Sequence, residues 1–194
     1  YSVGGMLLEE MFVGHEYRIM ATRAKVIGTL ERIPAHLIGD GNSTVQELID
    51  QKNQDPLRNI SESLYPHILV DEDMLEILTQ QGKELTTIPR NQEKIILRKV
   101  SNVMAGGDSV DLTDQVHQSV KDIALQAIQA IPGLSWGGVD FMTADINAPQ
   151  TSESYRIIEI NAAPEFDMHQ IPMQGESRPV AKEFLQLMFP EITG

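Results

Sequence analysis

The chain has 194 residues, 41% of them hydrophobic, enough to bury a core and to form one domain or a lobe and a half of a larger one. Its 28 acidic residues outnumber 15 basic ones for a formal charge of -13, which argues against sequence-blind nucleic-acid binding, because that rests on Lys and Arg meeting phosphates. No cysteine is present, so disulfides and thiolate metal sites are excluded, and no apolar run approaches the roughly 20 residues that span a bilayer.

The expectation is a cytoplasmic protein that engages neither nucleic acid nor membrane. Any phosphorylated ligand must then meet locally concentrated cations or a metal. Tyr1 opens the chain without an initiator Met, and Ser2 to Gly5 read as a linker or loop, which suggests a piece of a longer polypeptide.

Met6 to Phe12 reads as a strand, Val13 to His15 as a tight turn and Glu16 to Ala21 as the next strand. Lys25 to Arg32 supplies a third β-rich run, and an antiparallel meander is the simplest account. Glu9 and Glu10 are adjacent, so one faces each side of its strand. An acid at such an edge suits the amino group of adenine, and Glu16 suits ribose hydroxyls, although acids near strand ends are more often simply solvated.

Pro34 ends the third run, and Gly39-Asp40-Gly41 makes a turn. Thr44 followed by Glu47 is a capping-box signature, with Val45, Leu48 and Ile49 as the apolar face of a short helix that stops at Asn53 to Pro56. Arg32, at a strand end beside this turn, suits a phosphate or carboxylate, or a surface pairing with Glu31 or Asp40. Asp71 to Gln81 reads as a helix with Met74, Leu75, Ile77 and Leu78 as contacts and Gly82 as its stop. Residues 44–93 carry no catalytic pattern and read as a helical cap or insertion, with His67 structural.

A strand from Lys94 to Arg98 runs into a polar loop containing Asn102 and Gly106-Gly107, and then into a helix capped by Thr113 or Asp114. Glycines let backbone N–H groups approach phosphate oxygens, with Arg98 and Lys99 close upstream, although a Gly-Gly pair also suits a plain flexible turn. Val116, Val120, Ile123, Ala124, Ala127, Ile128 and Ile131 recur at helical spacing, which predicts a helix covering one sheet face until Pro132-Gly133. A last helix, Arg178 to Met188, is expected to bury Val180, Phe184, Leu187 and Met188.

Between these helices lies the most informative stretch, Trp136 to Pro164. WGGVDFMT and YRIIEINAAP read as two strands joined by a loop with Asp145, Asn147, Pro149 and Ser152. Folding about the midpoint sets Asp140 near Glu159, and Asn161 shares the face of Glu159 because residues two apart point the same way. Like charges directly opposite destabilise a sheet, so a cation between them is the sharper reading and a solvated strand face the plainer one. Two carboxylates and an amide oxygen are hard donors suited to Mg²⁺.

Taken in order, LLEEMFVGHEYR, ERIPAHLIGDGNSTVQELID, SNVMAGGDSVDLTD, WGGVDFM and IIEINAAP resemble the ATP-grasp carboxylate-amine ligases, over nearly the whole chain. The strongest likeness is to the ligase domain shared by bifunctional glutamate-cysteine ligase/glutathione synthetase and by cyanophycin synthetase. The resemblance implies an α+β fold, the C-terminal lobe of an ATP-grasp domain, with an antiparallel sheet flanked by helices. The N-terminal lobe would lie outside residues 1–194, and this chain alone would bind Mg-nucleotide poorly.

It further implies ATP and two Mg²⁺ ions as cofactors, with Mn²⁺ as a substitute, and an acylphosphate captured by an amine. By position, Asp140, Glu159 and Asn161 match the family's metal ligands. Glu9, Glu10 and Phe12 match the adenine segment, Glu16 the ribose acid, and Gly106 and Gly107 the nucleotide loop. Arg32, Arg98 and Asn102 resemble the residues that contact phosphates or the acylphosphate. Substrates would be small amino acids or peptides, and a homodimer is compatible with the pattern. Ala163, Glu165 and Gly138 depart from the family, Gly138 standing where some relatives carry an arginine. The C-terminal segment favours γ-glutamylcysteine plus glycine as substrates. A cyanophycin synthetase-like enzyme, another amino-acid or dipeptide ligase, and a non-catalytic binding module are the alternatives.

Overall fold

Apolar side chains at alternate positions make His15–Thr22 (β1) and Val26–Ile33 (β2) an antiparallel hairpin, in which Arg18 faces Leu30 and Glu16 faces Arg32. The structure is a computed structural model that describes residues 11–60 and 64–192. The strand expected over Met6 to Phe12 lies largely outside the described residues, as do Glu9 and Glu10; Met11 and Phe12 are not in a strand.

After β2 a short ribbon pairs His36–Ile38 (β3) with a later strand, and the helix Val45–Asn53 (α1) follows. Its capping box forms as expected, with Thr44 accepting from the Glu47 amide while the Glu47 carboxylate accepts from the Thr44 amide at 2.7 Å. The helix Glu72–Gln80 (α2) is capped by Asp71, and Lys94–Ile96 (β4) is the partner of β3. Leu37, Ile95 and Leu97 pack with Val45, Leu48 and Ile49 of α1 and Met74 and Leu78 of α2 in a core of their own.

Asp108–Asp111 (β5) lies against β2, and the helix Gln118–Ala130 (α3) leads into Trp136–Thr143 (β6) and Tyr155–Asn161 (β7). The main sheet runs β5-β2-β1-β6-β7, every neighbouring pair antiparallel. One face carries Tyr17, Ile19, Ala21, Val139 and Phe141 against Val120, Ala124 and Ile128 of α3. The opposite face carries the polar side chains and is closed at one end by Asp167–Gln170 (α4) and Val180–Met188 (α5), where Val180 and Phe184 meet Met20 and Ile27. Among the described residues no helix is long and apolar enough to cross a membrane.

Two expectations need correction. α3 is capped by His117, whose Nδ1 accepts from the Ser119 amide, because Thr113 is engaged with Asp111 and the Thr29 amide, and Asp114 pairs with Arg178. In α5, Leu187 and Met188 are 40% and 62% exposed, since only the Val180–Phe184 stripe faces the sheet.

Arg58 holds the two cores together. Its buried guanidinium donates to Asp108 at 2.5 Å, to the carbonyls of Gly106 (3.0 Å) and Gly107 (3.3 Å), and to that of Pro66 (2.9 Å). Lys52 shares Asp108 at 2.5 Å. Removing one partner of a buried pair strands the other, so Arg58→Met should destabilise the fold by about 3 kcal/mol in urea unfolding. A loss below roughly 1 kcal/mol, the range of ordinary surface changes, would contradict this role.

Candidate functional site

Strand register assembles the polar face. Arg18 on β1 lies opposite Asp140 on β6, and Asp140 lies opposite Glu159 on β7, with Asn161 two residues on opposite Gly138. The expected hairpin therefore forms and brings Asp140, Glu159 and Asn161 to one face. They line a cavity of about 590 Å³ together with Glu16, Arg18 and Arg32. The loop that carries Asn102 and the segment that carries Ala163 and Glu165 form its other walls.

Asp140 is 5% exposed and is neutralised from two strands. Arg18 donates to both its oxygens, through Nε to Oδ1 and through Nη2 to Oδ2 at 3.2 Å. Arg32 approaches Oδ2 at 3.0 Å and also pairs with Glu16. Arg32 Nε is buried and has no hydrogen-bond partner among the described residues. Glu159 accepts from Asn161 Nδ2 at 2.8 Å, which leaves the Asn161 carbonyl oxygen as an acceptor.

Arg18 was not singled out from the sequence. Strand pairing places a guanidinium beside Asp140 from β1, and Gly138 gives it room. A side chain on Gly138 would come within 3.0 Å of Arg18 Cδ and 2.9 Å of Pro164 Cβ. The available signal was an arginine inside a buried apolar strand, at the same parity as Glu16.

Other expected residues fall elsewhere. Arg98 is tied to Asp71 at 2.7 Å and to the Leu69 carbonyl at 3.1 Å, at the start of α2. Gly106 and Gly107 are buried, and their amides already donate to Val103 (2.9 Å) and Asn102 (3.3 Å), so neither presents an N–H to a phosphate. Gly107 is instead needed for close approach, since a Cβ there would lie 2.7 Å from the Ile33 carbonyl. Phe12 stacks under Arg156, whose guanidinium carbon lies 5.0 Å from the ring centre.

In the cavity, the carboxylates of Glu16, Asp140, Glu159 and Glu165 outnumber the guanidiniums of Arg18 and Arg32. Such a surplus attracts cations and admits a polyphosphate only with metal beside it. Among the described residues no three His, Asp or Glu side chains cluster to hold a metal. Glu159 and the Asn161 amide oxygen fit Mg²⁺, which takes one or two protein carboxylates and completes its shell with water and phosphate, while Asp140 would join them by sharing an oxygen that Arg18 or Arg32 already engages.

Behind the site, His169 of α4 is fully buried, and neither ring nitrogen has a partner. Burial first, then the positive charge of Arg18 and Arg32 against the opposing Asp111, lowers its pKa to about 3.

No protein-family model matches the chain. It is 39% identical over 95% of its length to the glutathione biosynthesis bifunctional protein GshAB of Clostridium perfringens, covering 24% of that protein. It is 35% identical over 97% of its length to the cyanophycin synthetase of Synechocystis sp., covering 22% of it. A crystal structure of a bifunctional glutathione synthetase from Pasteurella multocida superposes with a TM-score of 0.82 at 34% identity, over 94% of this chain and 25% of that one. The chain thus spans about a quarter of the length of the relatives it matches.

The depressed His169 pKa has a signed consequence. The unfolded chain takes up the proton near pH 6.5 and the folded one only near pH 3, so His169 favours the fold fully above the first value and progressively less below it. Urea unfolding between pH 7 and 4 should lose up to about 1.4 kcal/mol per pH unit from this group. His169→Leu should remove that part of the slope, while His36, also lowered by burial and Lys52, contributes to both proteins. An identical slope in the variant would contradict the assignment.

Proposed function

We propose, for a chain that is a homologue of ATP-grasp ligases and has the fold of part of one, that it carries the nucleotide- and metal-binding part of an ATP-dependent carboxylate-amine ligase of the glutathione synthetase type. The reading is supported above all by Asp140, Glu159 and Asn161 meeting Arg18 and Arg32 at one cavity, within a chain matching such ligases over 95% of its length.

In this reaction a substrate carboxylate oxygen attacks the γ-phosphorus of ATP, the bond to the bridging oxygen breaks, and ADP leaves. The acylphosphate is then attacked at its acyl carbon by an amine nitrogen, which loses a proton as inorganic phosphate departs. Little of this needs a nucleophile from the protein. Catalysis is positioning and neutralisation of charge on the phosphoryl oxygens.

The residues fit that demand. Asp140, Glu159 and Asn161 would hold Mg²⁺, which would supply Lewis-acid neutralisation of phosphate charge. Arg32 lines the cavity as a cation for the reacting end, and Glu16 pairs with its guanidinium. Arg18 stands beside Asp140 as a second cation, and the Asn102 loop forms the facing wall. Residues 44–93, which pack with β3 and β4 in a core distinct from that of the main sheet, act as a cap beside the site. Substrates are a small peptide acid and an amino acid, γ-glutamylcysteine and glycine being the reading that the GshAB relative and the Pasteurella structure support.

In the polypeptide that carries this chain, Glu159→Gln and Asp140→Asn should each lower Mg-dependent ADP release at least about 100-fold, as expected when a preorganised electrostatic contact is lost. Circular dichroism checks that the variants fold. Activity within a few-fold of the parent in both would overturn the site.

A further inference from the structure

A second cavity, of about 450 Å³, adjoins the first and shares with it Glu16, Arg32, Val100 and Ser101. Its electrostatics are reversed. The carboxylates that line it, Glu16 and Glu31, are already engaged, the first by Arg32 and the second by His15 at 2.6 Å. Lys94 and Lys99 on its wall meet no carboxylate: the Lys94 ammonium has no hydrogen-bond or ion-pair partner among the described residues, and Lys99 donates to the neutral Gln80 at 2.8 Å. In a chain of formal charge -13 this is a local positive chamber beside a negative one.

The walls also suit the body of a small acid. Lys94 and Ile96 of β4 both line the chamber, as residues two apart on one strand should. Ile33 and Met142 add apolar surface. At the shared wall, Arg32 lines both the cation-seeking cavity and the anion-seeking one.

From this juxtaposition we infer that the second chamber receives the carboxylate substrate as a dicarboxylate. The reacting carboxylate sits at Arg32, and Lys94 and Lys99 hold the other one, making these lysines specificity-determining residues. The inference rests on the ligase reading and adds to it the recognition of a second, non-reacting negative charge. Lysine suits this task, being a compact point charge on a flexible stem that meets a carboxylate without fixed geometry. Both lysines are exposed, so their substitution leaves the cores intact.

The test is a cycle between protein and ligand in the polypeptide that carries this chain. Binding of γ-glutamylcysteine, and of 4-aminobutyryl-cysteine, which lacks the glutamyl α-carboxylate, is measured by calorimetry for the parent and for K94Q/K99Q. The parent should bind γ-glutamylcysteine about tenfold more tightly than the variant, whereas the two proteins should bind the truncated ligand alike. Equal binding of γ-glutamylcysteine by both proteins, equal losses for both ligands, or no binding by the parent overturns the inference. Amide formation from Mg-ATP is read separately. Turnover without the lysine coupling removes the chamber and leaves the reaction class standing, and coupling without turnover does the reverse.

Discussion

The buried carboxylate of Asp140 sets the terms for the rest of the sheet. A lone charge in that position would be costly, and it is tolerated because guanidiniums reach it from β1 and β2. That demand couples the registers of three strands. Arg18 must lie opposite Asp140, Arg32 must lie within reach across β1, and Gly138 must lack a side chain for Arg18 to pass. The opposite face is largely apolar and packs on α3, which makes the sheet a platform for its polar side.

Under the proposed function, the same arrangement lets an acidic protein take an anionic cosubstrate. Its charge is partitioned into adjoining chambers rather than spread evenly. Surplus carboxylates in one call for metal before phosphate can enter, and unopposed lysines in the next call for a substrate anion. Arg32 belongs to both and is held by Glu16, which places a cation where transfer between phosphate and carboxylate would occur. The ion-pair knot of Arg58, Lys52 and Asp108 fixes the wall that separates the β3–β4 unit from the main sheet.

Much of this was legible in the sequence. Period-two alternation and a polar loop gave the β6–β7 hairpin and its Asp140–Glu159 pairing, and Thr44 with Glu47 marked the start of α1. What escaped depends on partners far away in the chain. Arg18 acquires its role only because β6 pairs with β1, 122 residues later. β5 is acidic and short, and it is a strand because β2 offers it an edge and Arg58 and Arg178 neutralise its ends. Gly106 and Gly107 looked like a phosphate loop, but a glycine pair reads alike whether a ligand or a neighbouring backbone comes close. Here the backbone does. Arg98 was misleading for a similar reason, since sequence places it beside the Asn102 loop while Asp71 draws its side chain to α2.

In the proposed function, Asp140, Glu159 and Asn161 form a divalent-cation site facing a nucleotide. Electron paramagnetic resonance titration of Mn²⁺ with ADP present tests it most directly, in the polypeptide that carries this chain and in its Glu159→Gln variant. Mn²⁺ should bind in a nucleotide-dependent way and at least about tenfold more weakly to the variant, as loss of a charged ligand requires. Equal Mn²⁺ affinity in both proteins would contradict it.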